Sequence, residues 1–150
     1  MADNGKVLGM ASDHGGFVLK EFLKKKLIEA GYQIKDFGTH SEKSVDYPDY
    51  IHPLANEVNK GILKRAIIMC GSGNGAQMTA NKYPFVRAAL CWDEEQTVLA
   101  RQHNDANIIS LPGRFLSFDK AWKMIQLFLN TPFEGGRHRR RIEKIPQILN

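Results

Sequence analysis

Ile67-Ile68-Met69-Cys70-Gly71-Ser72-Gly73-Asn74-Gly75 decides the fold of this 150-residue chain. The apolar run that ends in it, Ala66 to Cys70, reads as a strand covered on both faces, the pattern of a parallel sheet layered with helices. It runs directly into a loop with three glycines in five residues. Such a loop lets backbone N–H groups approach an anion closely. In open α/β sheets, ligands bind beyond the carboxyl ends of the strands. The last residue of this strand is Cys70, a soft nucleophile able to carry a proton. A thiol therefore stands beside a loop suited to negative charge.

The pattern extends in both directions. Lys6 to Ser12 predicts a first strand, closed by the polar turn Asp13-His14-Gly15-Gly16. Leu19, Phe22, Leu23, Leu27 and Ala30 recur at helical spacing, with Lys20, Glu21, Lys24 and Lys25 on the opposite face and Gly31 as the stop. Tyr32 to Phe37 predicts a second strand. After Asp46-Tyr47-Pro48, a helix carries Ile51, Leu54, Ala55 and Val58. Val86 to Cys91 predicts a fourth strand, and Asp93 caps the next helix with Gln96 in the reciprocal position. That helix ends near Arg101-Gln102-His103-Asn104. Asn107 to Leu111 predicts a fifth strand. A helix from Ser117 to Asn130 is expected to bury Trp122, Ile125, Phe128 and Leu129. Beyond Gly135-Gly136, a last helical segment should present Ile142, Ile145 and Leu149 on one side, shortened or kinked by Pro146.

Alternating strands and helices predict an α/β fold: a three-layer α/β/α sandwich around a five-stranded parallel Rossmann-like sheet, with a C-terminal helical arm. No repeat or linker divides residues 1–150, so one domain is expected. Composition agrees, with 43% apolar and 25% charged residues. No apolar run reaches the length of a membrane span. Met1 to Gly5 lacks the basic-then-apolar order of a secretory leader. Two cysteines make no disulfide framework, so reduced thiols and a cytoplasmic setting are expected. The net charge is +5, and Arg137, His138, Arg139, Arg140 and Arg141 concentrate it near the C-terminus. That favours an anionic partner, a phosphate ester or a nucleic acid.

Three polar clusters follow strands: Asp13-His14, the loop after Cys70, and Arg114. His103-Asn104 ends a helix, where a cation is favoured, and makes His103 a candidate general acid. These clusters are expected to meet at one sheet edge. The glycine loop is neither a Walker motif nor a phosphatase signature, because no Gly-Lys-Ser/Thr follows and the sixth residue after Cys70 is Ala76. The first turn lacks G-x-G-x-x-G, and Asp13 there would repel a pyrophosphate. What remains is a small-anion or oxyanion loop with a thiol at its edge. The structural alternative for Cys70 is a small core residue, and for Cys91 that is the better reading. Arg137 and Arg141 share a helix face, and two guanidinium groups suit a phosphate. The alternative is a solvated or RNA-binding basic tail, the reading given to Arg139 and Arg140.

Together these segments closely resemble the type B ribose-5-phosphate isomerases, a family that also contains galactose-6-phosphate and allose-6-phosphate isomerases. The resemblance rests on Ser12-Asp13-His14-Gly15-Gly16, Asp46-Tyr47-Pro48, Cys70-Gly71-Ser72-Gly73-Asn74-Gly75, Arg101-Gln102-His103-Asn104-Asp105-Ala106-Asn107, Glu134-Gly135-Gly136-Arg137-His138 and Arg141-Ile142-Glu143-Lys144-Ile145. The motifs occur in one register over nearly the whole chain.

The resemblance implies an aldose–ketose isomerase that works through an enediolate without a metal or other cofactor. By position, Cys70 is implied as the base that moves the proton between C2 and C1, and His103 as the ring-opening acid. The amides of Gly71, Ser72, Gly73, Asn74 and Gly75 are implied as the enediolate's anion hole. Ser72, where the family often has threonine, is implied as a proton relay between the sugar oxygens. Asp13, Tyr47 and Asn104 are implied as sugar-hydroxyl ligands, and His14, Arg114, Arg137 and Arg141 as the phosphate cradle. Some members place a glutamate base inside the loop, but no acidic residue lies between Gly71 and Gly75 here. Asn74 departs from the apolar residue often found at its position. The family builds its pocket from two subunits, which implies a homodimer or higher homo-oligomer whose tail arginines serve the neighbour. The expected substrate is ribose 5-phosphate, with a six-carbon sugar phosphate as the alternative. A non-catalytic RNA- or phosphate-binding module is the rival of a different class, disfavoured because no aromatics interleave the basic tail. No nucleic-acid or membrane partner is therefore expected.

Overall fold

The computed structural model describes residues 4–149. Residues 1–3, on which most of the reading against a secretory leader rests, and residue 150 lie outside the described residues. Five strands, β1 (Val7–Ser12), β2 (Gln33–Asp36), β3 (Arg65–Cys70), β4 (Ala88–Leu90) and β5 (Ile108–Pro112), form one sheet in the order β2-β1-β3-β5-β4. Every pairing is parallel. The helices are α1 (Phe17–Glu29), α2 (Tyr47–Asn59), α3 (Asn74–Ala80), α4 (Glu94–Asn104), α5 (Phe118–Asn130) and α6 (Arg137–Ile142). The expected three-layer α/β/α architecture is what the chain adopts.

Alternation along the strands divides the core in two. Ile67 and Met69 of β3 pack with Leu19, Leu23 and Leu27 of α1 and with Met124, Ile125 and Phe128 of α5. Ala66, Ile68 and Cys70 point to the other face, against Ile51, Leu54 and Val58 of α2 and Ala76 and Ala80 of α3. The thiol thus belongs to the α2–α3 side of the sheet.

Several elements differ from expectation for identifiable reasons. β4 is shorter than Val86 to Cys91, because the Arg87 N–H is taken by the Asn107 side chain at 2.8 Å instead of a ladder carbonyl. Asn74 and Gly75, read as loop, open the short helix α3. α5 buries Ala121 and Met124 along with Ile125 and Phe128, and leaves Trp122 and Leu129 partly covered. Lys20, expected on the solvent face of α1, is fully buried. Its ammonium donates to both carboxylate oxygens of Asp36 (2.9 and 2.7 Å) and to Glu21 (2.8 Å). Burial alone would raise the Asp36 pKa, but bonds from Lys20, the Gly38 N–H and Lys24 outweigh it and hold the carboxyl below its usual range.

The terminal helix is also shorter than its apolar stripe implied. α6 stops at Ile142, and the chain continues through three-residue turns such as Lys144 N–H to Arg141 C=O (3.1 Å). Ile145 and Leu149 lie beyond the helix and are exposed. Pro146, which has no N–H to donate, ends any continuation.

Candidate active site

Strands β1, β3 and β5 end together. Ser12 is level with Met69, and Cys70 with Pro112. The following loops therefore share one sheet edge. They are stitched by Gly113 N–H to Cys70 C=O (2.9 Å) and Arg114 N–H to Gly71 C=O (3.0 Å). From β1 the chain passes outward to β2, and from β3 it passes to β4 on the opposite side. The crevice between their carboxyl ends is the switch point where open α/β sheets bind ligands.

Most of the expected side chains surround this crevice. Cys70 is 5% exposed at its floor. Asp13 is largely buried, and its Oδ1 accepts the Gly15 N–H at 2.8 Å, which fixes the turn after β1. His14 uses Nδ1 to accept the Val45 N–H at 3.1 Å, tying that turn to the loop before α2. The Arg114 side chain lies over Gly71. Tyr47 opens α2 and rests on Gly75, where even a methyl group would come within 2.4 Å of the ring. Gly73 has a φ of 78° and turns the chain into α3. Its carbonyl accepts the buried Ser110 hydroxyl at 2.7 Å. The Ser72 hydroxyl accepts the Asn74 N–H at 3.2 Å, so that amide is already engaged.

The remaining candidates lie elsewhere, which for His103 and Asn104 corrects the expectation of one converging edge. α4 runs back along the sheet, so His103 and Asn104 finish where β5 begins. There, Ala66 at the start of β3 is level with Ile108. The length of β5 separates this end from the Cys70 loop by roughly 13 Å. α6 packs beside the end of α4, with His138 stacked on His103 at 4.3 Å. Arg137 and Arg141 are therefore at this second site too. One chain holds Asp13, His14, Tyr47, Cys70, Ser72 and Arg114 at one edge, and His103, Asn104, Arg137 and Arg141 at the other.

Glu134 and His138 had no assigned role in the sequence reading. Glu134 Oε1 lies 3.9 Å from His103 Nε2 and 3.6 Å from His138 Nε2. Burial, with the charges of His103, Arg137 and Arg141, holds the His138 imidazole below its usual pKa despite Glu134. Their four-residue spacing across Gly135-Gly136 was the available signal. Ser12 was also passed over; its hydroxyl is fully buried at the end of β1 with no hydrogen-bond partner. No helix among the described residues is long and apolar enough to cross a membrane.

The fold that carries this crevice recurs in known proteins. The family model described as Ribose/Galactose Isomerase matches residues 8–145. Ribose-5-phosphate isomerase B of Escherichia coli is 36% identical over 143 residues, covering 95% of this chain and 96% of that protein. Among solved structures, a ribose 5-phosphate isomerase from Thermotoga maritima superimposes with a TM-score of 0.93 at 44% identity, covering 95% of this chain and 98% of that one. Ribose-5-phosphate isomerase B from Mycoplasma genitalium, solved with bound ribulose-5-phosphate, gives 0.89 at 39% identity over 93% of each chain. The chain belongs to the ribose/galactose isomerase family.

Proposed function

We propose that this chain is an aldose–ketose isomerase interconverting ribose 5-phosphate and ribulose 5-phosphate through an enediolate. The observation that carries the reading is Cys70 at the floor of the switch-point crevice, beside Asp13, Tyr47 and the glycine loop. The relative with bound ribulose-5-phosphate supports the choice of substrate.

A C2 proton is too weakly acidic for a free thiolate to remove quickly. The charge must be stabilised as it forms, and amides of the Gly71–Gly75 segment supply that stabilisation. Cys70 takes the proton from C2 and returns it to C1, while the Ser72 hydroxyl relays a proton between the two sugar oxygens. Asp13, Tyr47 and Asn104 hold sugar hydroxyls. His14, Arg114, Arg137 and Arg141 hold the phosphate. His103 opens the furanose ring. The scheme calls on no metal or cofactor.

Because these residues occupy two edges of one chain, a complete site requires two copies. A two-fold homodimer sets the His103–Arg137 edge of one subunit against the Cys70 crevice of its partner, giving two shared sites. The two cysteines are free, in keeping with a reducing, cytoplasmic setting.

The test is conversion of ribose 5-phosphate by purified protein in the presence of a chelator, with Cys70→Ala alongside. Turnover is expected in the intact protein. The variant should lose about 10³-fold or more, on the scale of a lost general base, while still binding substrate. Turnover confined to six-carbon phosphates would reassign the substrate. No turnover on either, or full activity without the thiol, would overturn the reading.

A further inference from the structure

Glu134 and His138 take no part in the isomerisation scheme, yet they surround its acid. Positive φ angles at Gly135 (72°) and Gly136 (58°) turn the chain back on itself. The Glu134 N–H donates to the Gln102 carbonyl at 3.0 Å, fixing this turn to the end of α4. The His103 and His138 rings stack nearly parallel, 4.3 Å apart and inclined by 12°. Both Nε2 atoms face the same Glu134 oxygen, at 3.9 and 3.6 Å, beyond hydrogen-bond length. His138 is 7% exposed, and its Nε2 has no hydrogen-bond partner. A buried imidazole nitrogen is seldom left in that state.

The geometry points to a divalent transition-metal site of the zinc class, formed by His103 Nε2, His138 Nε2 and the Glu134 carboxylate, with water completing the coordination. The three donor atoms lie within 4.8 Å of one another. Ligands about 2.0–2.1 Å from a tetrahedral zinc are roughly 3.3 Å apart. Closing that difference takes a swing of the Glu134 side chain and a tilt of the His103 ring, which are 50% and 40% exposed in the single chain. The buried His138 serves as the fixed ligand. Two imidazoles and a carboxylate are a zinc donor set that leaves a position open. Arg137 and Arg141 repel a dication, and one carboxylate offsets only one of them, so the affinity is micromolar rather than that of a structural zinc site. A metal on His103 removes the nitrogen that would carry its proton, so the ion inhibits turnover. That consequence rests on His103 as the ring-opening acid; the binding does not.

The full chain is titrated with Zn²⁺ against a chromophoric chelator, and with Co²⁺ followed by visible absorption. One ion per chain is expected, with Co²⁺ d–d bands and no thiolate charge-transfer band. Glu134→Gln and His138→Gln should each weaken binding at least about tenfold, the lower bound for loss of even an outer-shell partner. Unchanged binding in either variant, a thiolate band, or no binding at micromolar metal would overturn the site. Glu134→Gln keeps the test decisive if His138→Gln fails to fold, because the Glu134 side chain is half exposed. Metal bound with turnover unaffected would support the site and count against His103 as the acid.

Discussion

Cys70 and Cys91 carry the same thiol into different surroundings. Burial is the main reason the Cys91 thiol is pushed up to about 11, aided by the charge of Asp93 and opposed by a hydrogen bond with Thr97. At pH 8 only roughly one Cys91 in a thousand is then a thiolate, the reactive form. Iodoacetamide at that pH should leave Cys91 unmodified in the native protein and label it after unfolding, as read by mass spectrometry. Cys91→Ala should leave turnover unchanged. Gly75 is constrained differently, because a methyl there meets Tyr47 at 2.4 Å. Gly75→Ala should displace the tyrosine and raise KM several-fold with less effect on kcat, measured by initial rates.

At the scale of elements, the β3–α3 junction depends on one backbone angle. Gly73 is left-handed, and a Cβ there would sit 2.5 Å from Leu90 Cδ1 and 3.0 Å from the Leu111 carbonyl carbon. Gly73→Ala should cost about 2 kcal/mol or more, from strain and overpacking together, seen as a lower urea midpoint. The α1–β2 contact hinges instead on charge. Asp36→Asn leaves the fully buried Lys20 with Glu21 as its sole carboxylate. Losing half of a buried pair should cost about 3 kcal/mol at pH 7. Because the folded pKa of Asp36 is lowered, the wild-type advantage is complete above its unfolded value of about 3.9 and disappears as pH falls through the depressed folded value. Urea melts of both proteins at pH 7 and pH 3 check the sign.

For the whole molecule, the division of the candidate site between two sheet edges makes a quantitative prediction. Cys70→Ala and His103→Ala should each be inactive. In a mixed dimer, one shared site carries both changes and the other carries neither. Random exchange of equal amounts should therefore recover about a quarter of wild-type activity. No recovery after verified subunit exchange would show that each chain acts alone. The elements themselves were largely legible in the sequence, because four apolar strand runs and the helix periodicities follow from local pattern, and only the second strand, Gln33–Asp36, is mostly polar. α3 was not, since seven residues with only Ala76, Thr79 and Ala80 buried are too few to show a period. Nor was the burial of Lys20, which depends on a carboxylate sixteen residues away.

Local sequence alone specifies the parallel α/β layering, the thiol-and-glycine loop and the basic tail. Each is written in neighbouring residues through hydrophobic period, glycine placement or charge. The folded chain was needed to show that His103 and Asn104 stand with Arg137 and Arg141 at the sheet edge opposite Cys70. The direction in which α4 runs back from the crevice fixes that, and it is a property of chain path. The meeting of His103, Glu134 and His138 has the same origin. It arises where the Gly135-Gly136 turn folds the tail onto the end of α4, bringing Glu134 and His138 against His103, more than thirty residues earlier in the chain.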